Sequence, residues 1–168
     1  MKELVVARHG HAEPFESKAR DFDRALTRRG RADAVAIGMR LAKHPWQPQL
    51  VVASTALRTK ETAQCLVQGL NCPGAPILLE ARLYLAEAAI WREVIVGLPP
   101  DSDKVLLVGH NPGVSQFAQW LVGEPDVPGF SPATLIRFTL AIERWQELAP
   151  GRLADERRED SRTRQRPE

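Results

Sequence analysis

Hydrophobic positions along the chain follow two patterns that alternate. Short aliphatic runs occur at Lys2–Ala7, Gln49–Ala53, Pro76–Leu79 and Lys104–Val108. Their near-continuous Val and Leu content predicts strands covered on both faces, as in a parallel sheet. A further run, Thr134–Ile142, alternates less cleanly and predicts a final strand. Helical patterns lie between these runs. Thr27 is placed to cap a helix over Arg28–Lys43, with Ala32, Val35, Ala36, Met39 and Ala42 as its apolar stripe. Ser54 or Thr55 can cap a second helix from Ala56 to Gly69. A third spans Ala86–Val96 and is stopped by Gly97-Leu98-Pro99-Pro100, and a fourth spans Val114–Val122 after Pro112-Gly113. Strands alternating with helices predict an α/β sandwich, with no internal repeat.

Length and charge narrow this picture. The chain's 168 residues suit one domain with a working core. A net charge of +2, with no basic face or stripe in the sequence, argues against a nucleic-acid partner. No apolar run reaches the length of a membrane span, and the first residues lack the long apolar core of a signal peptide. The two cysteines, Cys65 and Cys72, do not make a disulfide framework, so a reducing cytoplasm is the expected compartment. The expected domain covers residues 1–149, followed by a charged segment over 150–168. From Gly151 onward that segment holds six arginines and five acids, with hardly any large apolar residue. It reads as a flexible tail or an exposed charged helix, removable after Ala149 without loss of intrinsic activity.

The chemistry-bearing residues gather at predicted strand ends. Arg8-His9-Gly10-His11 follows the first strand, and Gly10 lets the backbone turn there. His110 follows the Lys104–Val108 strand within Gly109-His110-Asn111-Pro112-Gly113. Arg58 falls in the first turn of the helix after the second strand. Ligands of open α/β sheets bind beyond the carboxyl ends of strands, so three strand ends can deliver Arg8, His9, Arg58 and His110 to one place. Guanidinium forks suit phosphate oxygens, and a neutral imidazole is a nucleophile. Neighbouring arginines disfavour the imidazolium, so His9 should shed its proton readily. Each residue alone has an ordinary structural explanation; their common placement favours phosphoryl chemistry.

Two other chemistries compete. His9, His11 and His110 could supply imidazoles to a metal, but Gly10 argues that His9 and His11 do not share a strand face, and no Cys or carboxylate pair completes a set. Nucleotide binding has less support, because neither a Walker-type loop nor a G-x-G-x-x-G turn is present. The expectation is no metal and no cofactor.

These residues resemble the histidine phosphatase superfamily, phosphoglycerate mutase-like in fold, and within it the small SixA-type phosphohistidine phosphatases. The resemblance runs from Lys2 to Ile142. It rests on Arg8-His9-Gly10, Arg24-Ala25-Leu26-Thr27-Arg28-Arg29-Gly30, Ser54-Thr55-Ala56-Leu57-Arg58-Thr59-Lys60-Glu61-Thr62-Ala63, Leu83-Tyr84 and Val108-Gly109-His110-Asn111-Pro112-Gly113, in that order. It implies a three-layer α/β/α sandwich with a mostly parallel central sheet. It also implies that His9 is the phosphorylated nucleophile, that Arg8, Arg58 and His110 form the phosphate pocket, that Arg24 is a further substrate contact, and that no metal takes part.

The chain departs from larger relatives in its proton donor. One branch carries an Asp directly after the second His, where Asn111 stands here. Glu87 is the nearest candidate acid, with Glu13 and Glu80 behind it, and an ordinary solvated carboxylate is the better reading of all three. The chain also lacks the insertions that cap larger relatives. A phosphoester's alkoxide leaving group gains much from a general acid. Phosphohistidine leaves as an imidazole and needs one less. The expected function is therefore a metal-independent phosphatase acting on phosphohistidine of proteins. The alternatives are a small-molecule phosphomonoesterase, acting on a sugar phosphate or nucleotide, and a non-catalytic phosphate-binding module.

Overall fold

A computed structural model describes residues 1–16, 19–123 and 129–160. Among these residues, six strands and four α-helices follow in the order β1 (Lys2–Arg8), α1 (Arg28–Leu41), β2 (Leu50–Ser54), α2 (Leu57–Gly69), β3 (Ile77–Glu80), α3 (Ala88–Val96), β4 (Lys104–Gly109), α4 (Gly113–Val122), β5 (Thr134–Leu140) and β6 (Leu153–Asp160). They form one sheet in the order β3-β2-β4-β1-β5-β6. The β3-β2, β2-β4 and β4-β1 pairs are parallel, whereas β1-β5 and β5-β6 are antiparallel. The sheet is thus mostly parallel, as expected.

Strand alternation splits the core in two. Leu4 and Val6 of β1, Val52 of β2, and Val105 and Leu107 of β4 face α3 and α4, joining Trp91, Ile95, Phe117 and Leu121. Val5 and Ala7, Val51 and Ala53, and Leu106 and Val108 face the opposite side, joining Ile37, Leu41, Ala63 and Leu66 of α1 and α2. Adjacent residues of one strand feed opposite cores, which is why the middles of β1, β2 and β4 are aliphatic without a break. The three layers are α1/α2, sheet and α3/α4.

Three local expectations change. The α1 stripe faces the other way: Ala34, Ile37, Gly38 and Leu41 are buried, while Met39 is 59% exposed. Two interleaved sets of small and aliphatic residues had nearly equal helical spacing. Gly38 decides between them, because a Cβ there would lie 2.6 Å from the Leu66 carbonyl oxygen, so this face alone lets α1 approach α2. Secondly, Ala56 rather than Ser54 or Thr55 is the N-cap of α2, and it makes no side-chain cap bond. Thr27 does cap α1, accepting from the Gly30 amide at 3.0 Å.

The third change concerns the charged C-terminal segment. Leu153–Asp160 form neither a flexible tail nor a helix but strand β6, paired along β5 from Thr134↔Asp160 to Leu140↔Leu153. Composition misleads here because an edge strand is held by main-chain bonds and needs little side-chain burial. Charges on such an edge also discourage pairing with other chains. Arg158 of β6 donates to the Gly129 carbonyl oxygen at 2.7 Å. Residues 161–168 of the expected tail lie outside the described residues. Among the described residues, no helix is long and apolar enough to cross a membrane.

Candidate active site

The parallel pairing of β1 with β4 builds the centre of the site. Arg8 and Gly109 are register partners at the ends of the two strands, and the His9 amide donates to the Gly109 carbonyl at 3.1 Å. The next residues, His9 and His110, therefore stand side by side, with ring centroids 5.3 Å apart. β2 lies on the other side of β4 and ends at Ser54, whose Oγ is 2.9 Å from His110 Nε2. Four residues later Arg58 opens α2 over the same strand ends, only 2% exposed. The four predicted pocket residues, Arg8, His9, Arg58 and His110, are brought together.

Gly10 is required by close approach and not by its φ, which is not in the left-handed region. A Cβ at Gly10 would lie 2.8 Å from the Gly30 carbonyl oxygen, and a Cβ at Gly30 would lie 2.1 Å from that of His11. The loop after β1 thus rests directly on the start of α1. Thr62 holds it from the other side: its hydroxyl accepts from the Gly10 amide at 3.0 Å and donates to the Arg58 carbonyl at 2.6 Å.

Hydrogen bonding fixes the His9 tautomer. Its Nδ1 lies 2.7 Å from the Gly10 carbonyl oxygen. A carbonyl only accepts, so Nδ1 carries the proton and Nε2 keeps a lone pair. Burial lowers the His9 pKa to about 4, and the charges of Arg58, Arg8 and Arg24 push the same way against the Gly10 bond. Burial, then the charges of His9, Arg58 and Arg8, lower the His110 pKa to about 3, with Asp21 opposing. Both rings are neutral near pH 7. The Ser54 hydroxyl accepts from the Ala56 amide at 3.4 Å, which leaves its O–H to donate to His110 Nε2. In that arrangement the His110 proton sits on Nδ1.

Arg8 Nε, Arg58 Nε and His110 Nδ1 are buried without a hydrogen-bond partner. Polar hydrogens are rarely left so. Three unsatisfied donors, in residues whose charges or rings act on His9, suit an oxyanion with several oxygens. Arg8 is oriented by its Nη1 bond to the Phe130 carbonyl, at 2.9 Å.

Arg24 also reaches the site. It forms an ion pair with Asp21 Oδ1 at 3.1 Å and donates to the Glu13 carbonyl at 3.1 Å. His11 does not join: it is exposed, and its Nδ1 lies 3.0 Å from Thr27 Oγ1. Among the described residues, no group of three His, Cys, Asp or Glu is placed to hold a metal ion.

The candidate acids fare differently from one another. The Glu80 carboxylate is held by Arg82, which bonds it at 2.9–3.1 Å and keeps its pKa below the ordinary range. Glu87 is exposed at the start of α3 and caps no amide. Glu13 is exposed and meets the site through its main chain. Asn111 is fully engaged: its Nδ2 donates to the Phe130 carbonyl at 2.8 Å, and its Oδ1 accepts from Ser115 at 2.7 Å.

Sequence reasoning missed Asp21, and gave Tyr84, quoted within the Leu83-Tyr84 mark, no role in the site. Asp21 Oδ2 accepts from Arg58 Nη2 at 3.0 Å and from the Tyr84 hydroxyl at 2.8 Å. Tyr84 in turn meets the His110 ring edge-on, with centroids 5.5 Å apart. In sequence, Asp21-Phe22-Asp23-Arg24 resembles any solvated charged turn. Its one signal was an acid three residues before Arg24, which is also its ion-pair spacing.

Comparison with known proteins agrees with this geometry. The family model for the histidine phosphatase superfamily (branch 1) matches residues 4–94, more than half of the chain. The chain belongs to the histidine phosphatase superfamily. A chloroplastic protein of Arabidopsis thaliana is 31% identical over 130 residues, covering 73% of this chain but only 60% of its own length. A protein of Picosynechococcus is 29% identical over 119 residues, covering 70% of this chain and 71% of its own. Among solved structures, a SixA protein of Agrobacterium tumefaciens assigned as a phosphohistidine phosphatase aligns with TM-score 0.77 and 27% identity, over 92% of this chain and 96% of that one. A SixA protein of Nakamurella aligns with TM-score 0.77 and 26% identity, over 93% and 95%. A mycobacterial glucosyl-3-phosphoglycerate phosphatase shares the fold, with TM-score 0.69 and 20% identity over 92% and 98%.

Proposed function

We propose that this chain removes phosphate from phosphohistidine on proteins through a covalent intermediate on His9. The observation that carries the reading is the state of the site's carboxylate. Burial would raise the Asp21 pKa, but hydrogen bonds from Tyr84 and Arg58, with the charges of Arg58 and Arg24, outweigh it and leave the group below the ordinary carboxylate range. Such a group gives up no proton to a leaving alkoxide. A pocket rich in donors but poor in acids suits a leaving group that needs little protonation.

The His9 Nε2 lone pair attacks phosphorus, and the P–N bond of the substrate phosphohistidine breaks. Its electron pair stays on the departing imidazole, which leaves neutral when its other nitrogen already carries a proton. Arg8, Arg58 and His110 Nδ1–H hold the phosphoryl oxygens, and Arg24 lies at the substrate side. Most of the rate enhancement comes from this fixed array of donors. Water then attacks phospho-His9, the P–N bond to Nε2 breaks, and the water's proton passes to phosphate and solvent. The SixA proteins aligned above favour this substrate class, and the glucosyl-3-phosphoglycerate phosphatase is the reason to test small esters beside it.

The test is a panel of phosphohistidine proteins and small phosphate monoesters, with acid-labile ³²P followed on the enzyme. Labelling that His9→Ala abolishes, together with faster turnover of phosphohistidine, is the expected result. Faster turnover of a monoester would reassign the substrate. Labelling without turnover would leave a phosphate-binding module.

A further inference from the structure

The Asp21 carboxylate takes no step in the chemistry above, yet it is tied to Arg58, Tyr84 and Arg24 of the same site. Asp21 sits on a short 3-10 turn, Asp21–Asp23, beside α2. Its main-chain carbonyl accepts from Arg58 Nη1 at 2.7 Å, and its Oδ2 accepts from Arg58 Nη2 at 3.0 Å. One residue thus takes both terminal nitrogens of one guanidinium. Tyr84 braces the same Oδ2 at 2.8 Å, and Arg24 pairs with Oδ1 at 3.1 Å. The Nε of Arg58 is left buried and without a partner.

We propose that Asp21 is a positioning residue, which grips the Nη end of Arg58 and so presents its Nε edge to the phosphoryl group. The proposal rests on the phosphate-binding reading of the site and deepens it. A guanidinium is a planar fork, so fixing one edge fixes the direction of the other. Long side chains lose much rotamer freedom when they bind, and Asp21 removes that freedom in advance.

An alternative role follows from the same contacts. A carboxylate beside an anion site could compete with phosphate for Arg58. Its geometry speaks against this, because the carboxylate takes Nη2 while Nε stays unpaired, and its charge is met by two guanidiniums and a hydroxyl.

The two roles predict opposite signs. Binding of inorganic phosphate is measured by calorimetry for the full chain, Asp21→Asn, Arg58→Ala and the double variant. Circular dichroism confirms folding of each. Asp21→Asn should weaken phosphate binding about tenfold with Arg58 present and less than twofold in the Arg58→Ala background, because the effect travels through Arg58. Equal losses in both backgrounds would overturn the proposal, as would tighter binding by Asp21→Asn. Should Asp21→Asn fail to fold, Tyr84→Phe loosens the same carboxylate. It should weaken binding two- to threefold only when Arg58 is present, and a loss independent of Arg58 would again overturn the proposal. A wild-type chain that binds no phosphate would instead overturn the parent reading, and this one with it.

Discussion

Asn111 donates to the Phe130 carbonyl oxygen at 2.8 Å, and the same oxygen accepts from Arg8 at 2.9 Å. The position where some relatives carry a catalytic acid is thus used here to anchor a pocket arginine. Ser115 completes the arrangement by bonding Asn111 Oδ1 at 2.7 Å and accepting from the Phe130 amide at 3.2 Å. An acid at this position would disturb the pocket it was meant to serve.

Asn111→Asp tests that reading. A carboxylate cannot donate to Phe130, and it would face the carbonyl as a second acceptor. The expected cost is about 1–3 kcal/mol of stability, measured by urea denaturation. Turnover of phosphate monoesters should fall or stay level; a tenfold gain would show that residue 111 reaches the leaving group after all.

The two buried histidines set a pH dependence of stability. In the unfolded chain each titrates near its ordinary value of 6.5, whereas in the fold His9 titrates near about 4 and His110 near about 3. Below pH 6.5 the unfolded state therefore takes up protons that the folded state refuses. Stability is full above that pH and falls as pH drops, until about pH 4 for His9 and about pH 3 for His110. The slope is on the order of 1.4 kcal/mol per pH unit for each ring once its unfolded form is protonated. Denaturation between pH 7 and 5 isolates this effect from the carboxylates, and His9→Gln should flatten the curve. A profile that the variant leaves unchanged would contradict a neutral, buried His9.

Ser54→Ala removes the partner of His110 Nε2 without touching Arg58 or His9. The His110 ring should then lose its fixed tautomer, visible in its ¹⁵N chemical shifts. Turnover should drop by about tenfold, one hydrogen bond's worth of about 1 kcal/mol or slightly more. Unaltered ¹⁵N shifts would show that Ser54 does not set the tautomer.

Truncation separates strand from extension. Stopping the chain after Ala149 deletes β6, bares the β5 edge and removes the Arg158 contact to Gly129, near Phe130. That variant should melt several degrees lower and aggregate more readily, as an unpaired edge does. Stopping after Asp160 keeps the whole ladder and should match the full chain in melting temperature. Equal melting of both would make β6 dispensable to the fold.

Much of this protein was legible without coordinates. The aliphatic runs gave five strands and the apolar spacing gave four helices, because fully covered parallel strands have few polar residues and amphipathic helices repeat every 3.6. Arg8, His9, Arg58 and His110 were legible as a set because parallel strands aim their carboxyl ends the same way. Strand β6 was not legible, since main-chain pairing at an edge leaves almost no trace in side-chain hydrophobicity. The buried face of α1 was not either, since it depends on how closely Gly38 lets α2 approach.

The sequence by itself determined where His9, His110 and the cations around them stand, because these residues end strands or open the helix that follows one. Only the tertiary structure decided their states. The loss of charge on both rings depends on burial and on Arg58, and the grip of Asp21 on Arg58 joins residues 37 apart in the chain. Burial and hydrogen-bond geometry are properties of the assembled site, and no local stretch of sequence carries them.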